Sequence, residues 1–218
     1  MFRTSYTKGF TLIEMLIVLA LMAMLLTLSA PFVTSLRSDI AMKRVLRSVK
    51  LDMVSTISYS LAGKSFSALD ADDLTDPALI PSAYALYFEK DFDYGDTNFY
   101  EYLEFVSEED GTNKPMTVSY KNPHEYPAPS VYLHSIVFRE SVTGNEVDAD
   151  AGYIIVLPPF GKLLFVRDDE SFLKSLTEDD LYINQHDFDE IILGFQYKDK
   201  PQTKVSLSLN RNKVINVQ

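Results

Sequence analysis

Cysteine is absent from all 218 residues, which excludes disulfides, thiolate zinc sites, iron–sulfur clusters and a cysteine nucleophile. The compartment stays open, because an oxidising location does not require disulfides. Only eight glycines occur, and none falls in a Gly-x-Gly-x-x-Gly, P-loop or Gly-x-Ser-x-Gly pattern. The three histidines, His124, His134 and His186, are scattered, with no paired-ligand spacing. No catalytic site emerges, and an enzyme is not expected. Bases are outnumbered by acids, 20 to 31, for a net charge of −11. A protein that neutralises nucleic-acid phosphates leans the other way, so no nucleic-acid partner is expected. What the chain does have is apolar material, 46% of it, enough for one sizeable core.

The charge is unevenly placed. Residues 1–50 hold seven bases and two acids, a balance of +5, while residues 51–218 hold 13 and 29, a balance of −16. A basic N-terminal segment is thus joined to an acidic body, and the two face different surroundings.

Between Phe10 and Val33 the only polar side chains are Thr11, Glu14, Thr27 and Ser29. As a helix these residues span about 36 Å, enough for a hydrocarbon core of roughly 30 Å. An ordinary signal peptide is the competing reading, since Arg3 and Lys8 precede the apolar run. Against it, Leu28-Ser29-Ala30 is followed by Pro31, a poor place to cut. Glu14 also places a carboxylate among apolar residues, where an acid is costly and reads as functional by default. The flanking charges do not set the orientation, because bases stand on both sides of the run.

Lys8-Gly9-Phe10-Thr11-Leu12-Ile13-Glu14, running into Met15-Leu16-Ile17-Val18-Leu19-Ala20, resembles the prepilin-type cleavage and methylation motif. That motif opens type IV pilins and type II secretion pseudopilins, and the resemblance covers residues 8–26. It implies a cut between Gly9 and Phe10 by a membrane aspartyl peptidase on the cytoplasmic side, with N-methylation of Phe10. It also implies a single-pass chain in the cytoplasmic membrane, N-terminus inside, that later enters an extracytoplasmic pilus or pseudopilus. The implied partners are other pilin or pseudopilin subunits, the prepilin peptidase, an inner-membrane assembly platform and the membrane itself. Pro31 sits where many family members carry a helix-breaking proline.

The residues support this physically. Cleavage would leave an α-amine on Phe10, with Glu14 one turn away near the positive end of the helix dipole. Amine and carboxylate could then meet in lipid within one chain or between neighbours, so Glu14 is a candidate assembly residue. Pro31 lacks an N–H, so it either loosens the helix or ends the span.

A helical stripe of Met42, Leu46, Val49, Met53, Ile57 and Leu61 follows, with Gly63 as its stop. The helix is expected from about residue 11 to 62. Strands are expected at 84–89, 100–106, 116–120, 131–138, 153–157, 163–166, 191–197, 205–209 and 214–217. Pro158–Gly161 should turn 153–157 back on 163–166 as a hairpin, and Asn210–Asn212 should do the same for the last two strands. Acidic, turn-rich insertions occupy 67–82, 107–115, 139–151 and 167–190, with a short helix near 171–176. The expected fold is α+β: a long N-terminal helix, its first half transmembrane and its second amphipathic, packed on an antiparallel head. The expected parts are a leader 1–9, a span 10–33, an amphipathic helix 34–63 and a head 64–218. The closing C-terminal hairpin is similar to H-type pseudopilins and other minor pilins.

Asp91, Asp93 and Asp96 alternate around Gly95, as the oxygen ligands of a calcium loop would. Tyr102 stands where an EF-hand needs its twelfth-position Glu. A solvated acidic turn is the plain alternative, and no other cofactor is expected.

The chain therefore reads as a structural fibre subunit. The alternatives are a membrane-anchored binding module with an acidic head, and a secreted protein cut near Ala30.

Overall fold

The computed structural model describes residues 10–63, 81–90, 99–107, 116–168 and 188–217, with the side chains at 30, 31, 34, 99, 107, 116 and 120 left aside. It is an α+β arrangement of pilin-like order, one long helix followed by antiparallel sheets. The chain divides into two compact units between Ile40 and Ala41.

Helix α1 runs Leu12–Ala62 and is assigned without interruption across position 31. It ends where Gly63 takes φ 60°, the left-handed geometry that closes a helix without a Cβ clash. In the second unit, Met42, Val45, Leu46, Val49 and Met53 are buried, as the 3.6-residue period requires. Further along, the expected stripe shifts. Leu61 is 52% exposed, and Thr56 and Ser60 take the buried positions instead. Thr56 satisfies its hydroxyl by donating to the Asp52 carbonyl at 2.7 Å.

Ten strands follow among the described residues: β1 Ala83–Glu89, β2 Phe99–Ser107, β3 Met116–Glu125, β4 Val131–Glu140, β5 Glu146–Ala149, β6 Ala151–Leu157, β7 Lys162–Arg167, β8 Phe188–Tyr197, β9 Lys200–Asn210 and β10 Ile215–Val217. They form two five-stranded sheets, ordered β3-β2-β1-β6-β7 and β10-β9-β8-β4-β5, and every pairing is antiparallel. All nine expected strands are present. The tenth, β5, forms inside the expected 139–151 insertion and pairs with β4 from Ile136↔Ala149 to Arg139↔Glu146. Both expected hairpins form, β6–β7 around 158–161 and β9–β10 around 210–214. In the latter, Val214 donates its N–H to the Asn210 side chain at 3.1 Å.

β1 and β6 lie at the centre of the first sheet, and their sequences are apolar on both faces. Tyr84, Leu86 and Phe88 enter a core shared with α1 and with Leu133, Ile136, Phe138, Ile191, Leu193 and Phe195 of the second sheet. The alternate residues Ala83 and Ala85 join a second cluster with Leu103, Phe105, Tyr153, Ile155 and Leu164. This follows from the two-residue period of a strand. Gly152 marks a close approach: a Cβ there would lie 2.4 Å from Phe138 Cζ.

Candidate functional site at the start of the helix

Thr11 and Glu14 cap α1. The Thr11 hydroxyl accepts from the Glu14 backbone N–H at 3.3 Å, and Glu14 Oε2 accepts from the Thr11 backbone N–H at 2.8 Å. The Thr11 hydroxyl also donates to Glu14 Oε2 at 2.8 Å. This reciprocal pattern is a capping box, which satisfies N–H groups that have no partner inside the helix. The box matters more in lipid, where water is not available to take those bonds. Thr-x-x-Glu was readable in the sequence as a capping signature, but the carboxylate in an apolar run drew the reading toward its charge alone.

Downstream, Leu12–Ser29 is long and apolar enough to cross a membrane. Its large side chains are exposed on all sides, from Leu12 and Ile13 to Leu26 and Leu28. A helix apolar all round belongs in lipid or among other helices. The two hydroxyls within it bond to their own backbone, Thr27 Oγ1 to the Met24 carbonyl at 2.8 Å and Ser29 Oγ to the Leu26 carbonyl at 3.0 Å. Neither therefore demands a partner in the bilayer.

Of the expected site residues, Phe10 is exposed and directly precedes the box, and Glu14 is within it. Gly9 and the aspartates 91, 93 and 96 lie outside the described residues, as does the side chain of Pro31. The helix expected near 171–176, and His186, lie outside them too. Among the described residues no group of three or more His, Asp or Glu could hold a metal ion.

One cluster far from the helix start was not expected. Tyr100 on β2 donates its hydroxyl to Asp52 on α1, and His124 Nδ1 of β3 lies 3.4 Å from the same Asp52 oxygen. His134 is apart from these, with its Nε2 3.1 Å from Lys204 Nζ. On the other side of the first sheet, an open cleft of about 370 Å³ is lined by Tyr87, Glu89, Glu101, Lys121, Tyr153 and Asp168 among others. Tyr87 donates to Glu89 at 3.1 Å, and Lys121 pairs with Glu101 at 2.7 Å. Burial pushes the Glu89 carboxyl up. These groups are tied to one another, and none forms a nucleophile–base pair.

The start of the helix is what comparison with known proteins recognises. Residues 4–30 match the family model of the prokaryotic N-terminal methylation motif. The match supports the type IV pilin and pseudopilin family. It implies a structural rather than enzymatic protein, anchored by its apolar helix, processed by a prepilin peptidase and assembling with other pilin-type subunits. No curated protein and no solved structure matches the chain.

Proposed function

We propose that this chain is a structural subunit of a type IV pilus or a type II secretion pseudopilus. It is made as a membrane prepilin, cut after Gly9 and N-methylated on Phe10. The observation that carries the reading is a capped apolar helix start, with Glu14 as its one charged side chain, inside a methylation motif and joined to a folded β-rich body. The leader is 1–9, the span 10–33, the amphipathic helix 34–63 and the head 64–218. Before assembly the leader faces the cytoplasm and the acidic head lies outside, where the assembly platform collects the subunit. In the fibre, Glu14 receives the amine of a neighbouring Phe10. Pro31 leaves the Thr27 carbonyl without a main-chain donor and loosens the helix for packing.

N-terminal sequencing with mass spectrometry of the native mature chain tests this. Methylated Phe10 in a sheared-fibre fraction is expected. Met1 as first residue would indicate a permanent membrane anchor, and Pro31 a secreted protein. For the Asp91, Asp93 and Asp96 loop, a calcium-dependent rise in melting temperature that Asp93→Ala abolishes would support calcium, by binding to the folded state. An unchanged curve would leave a solvated turn.

A further inference from the structure

Lys43, Arg44, Arg47 and Lys50 are exposed on α1. Helical geometry places them off the buried stripe of Met42, Val45, Leu46, Val49 and Met53, with Lys43 and Lys50 on its flank and Arg44 and Arg47 on the far face. None of the four has an ion partner among the described residues. Four cations of the head differ in this. Lys90, Lys121, Arg139 and Arg211 each hold at least one carboxylate. Like charges three and four residues apart repel, and Lys43/Arg47, Arg44/Arg47 and Arg47/Lys50 all stand at that spacing. Among the described residues no carboxylate relieves this repulsion.

The head supplies the opposite charge on β5, an edge strand of the second sheet. Glu146 and Asp148 stand on it and Asp150 follows, with side chains 57%, 70% and 102% exposed. Together with Glu190 these carboxylates share, among the described residues, only Arg139 and Lys90. Alternate strand residues advance about 6.6 Å. Lys43, Arg47 and Lys50 advance about 6 and 4.5 Å along the helix. A row of three cations and a row of three carboxylates thus have similar pitch, yet the chain makes no ion pair between them.

We infer that the Lys43–Lys50 stripe docks on the β5 edge of a second copy of this chain. The two surfaces are different, so the contact is heterologous: it cannot close as a two-fold dimer, and where its rotation does not close a ring it repeats into an open helical filament. The inference rests on the fibre reading above and names the surfaces that fibre would use.

The absence of cysteine makes the test clean. In the full chain, Arg47→Cys with Asp148→Cys should give an oxidation-dependent ladder of dimers, trimers and longer forms, and neither single variant should. Arg47→Glu with Lys50→Glu should lower the sheared-fibre yield by about tenfold or more, since reversal places like charges together. Maturation and protease resistance of the head should not change, and adding Glu146→Lys with Asp148→Lys should restore the yield. Wild-type yield from the reversed chain would overturn the inference. So would cross-linking by Arg47→Cys alone, which marks a symmetric contact. Loss of binding to anionic vesicles with fibre yield intact would overturn it in favour of lipid headgroups. Failure of the fibre reading looks different, because the unsubstituted chain then yields no sheared fibre. In that case the ladder in membranes decides: its presence supports the docking and its absence overturns it.

Discussion

The Tyr100 hydroxyl on β2 and the Asp52 carboxylate on α1 share a hydrogen bond across 48 residues of sequence. His124 of β3 lies against the same carboxylate oxygen, and its ring sits 5.6 Å from that of Tyr100. Helix and sheet are thus joined by a polar contact beside their shared apolar core. Apolar burial is non-directional, whereas this bond selects one register of the helix on the sheet.

Tyr100→Phe should therefore destabilise the folded head. A hydrogen bond to a charged group contributes about 1.5–3 kcal/mol, and the partial exposure of Asp52 puts this one near the lower end. Asp52→Ala should cost more, because it removes the carboxylate that both Tyr100 and His124 contact. Denaturant unfolding of a fragment beginning at Arg37, which lacks the span and should be soluble, measures both. Equal midpoints for wild type and Tyr100→Phe would show that the bond contributes nothing.

Alkaline pH should unfold the head. Burial, with Glu104 nearby, pushes Tyr84 up to about 12. Burial likewise raises Tyr87, Tyr100, Tyr126 and Tyr153, with Asp52 adding to the effect at Tyr100. An unfolded tyrosine titrates near 10. Above that pH the unfolded chain gives up protons that the folded chain keeps, so stability falls as pH rises. The melting temperature should be insensitive to these groups below about pH 10 and drop steeply as pH climbs through about 12. Tyrosinate absorbance should appear together with loss of structure. Early tyrosinate absorbance in a folded head would refute the prediction.

Much of this fold was legible because period and punctuation agreed. β6 reads as a continuous apolar run, and the Pro158–Gly161 turn separates it from β7 as expected. β5 was hidden because Glu146-Val147-Asp148-Ala149 is short, acidic and half exposed. Its pairing with β4 supplies what its composition does not. The buried Thr56 and Ser60 were missed for a related reason. Helical period, not polarity, decides which positions face inward, and Leu61 lies one step round the helix from Ser60. The motif at Gly9–Glu14 was plain because its chemistry is local in sequence. The Tyr100–Asp52–His124 cluster was not, because nothing local marks residues 48 and 72 positions apart as neighbours.

Gly9→Val should block maturation. The peptidase must seat the residue before the scissile bond, and Gly9 offers no side chain to exclude. The expected result is full-length chain in the membrane fraction, shown by mass spectrometry to begin at Met1. Normal appearance of mature chain beginning at Phe10 would move the specificity elsewhere in the motif.

Glu14 has two duties that substitution can separate. Its carboxylate closes the capping box with Thr11, and its charge is available to the amine of a neighbouring Phe10. Glutamine also serves at the third position of a capping box, so Glu14→Gln keeps the helix start while removing the charge. Thr11→Ala does the reverse, since it deletes the hydroxyl and leaves the carboxylate. A lost cap costs about 0.5–2 kcal/mol of helix stability, which a long apolar helix in lipid tolerates. An unpaired carboxylate in hydrocarbon is harder to tolerate, so a neighbour's amine is a strong attractor. Both variants should be cut after Gly9, and their heads, folded from Ala41 onward, should be unaffected. Glu14→Gln should then stay in the membrane as mature chain, while Thr11→Ala should enter fibres near the wild-type amount. Blotting sheared-fibre and membrane fractions for the mature form reads both results. Fibre entry by Glu14→Gln together with failure of Thr11→Ala would make the cap, not the charge, the assembly element. Uncut Glu14→Gln in the membrane would place the carboxylate in peptidase recognition instead.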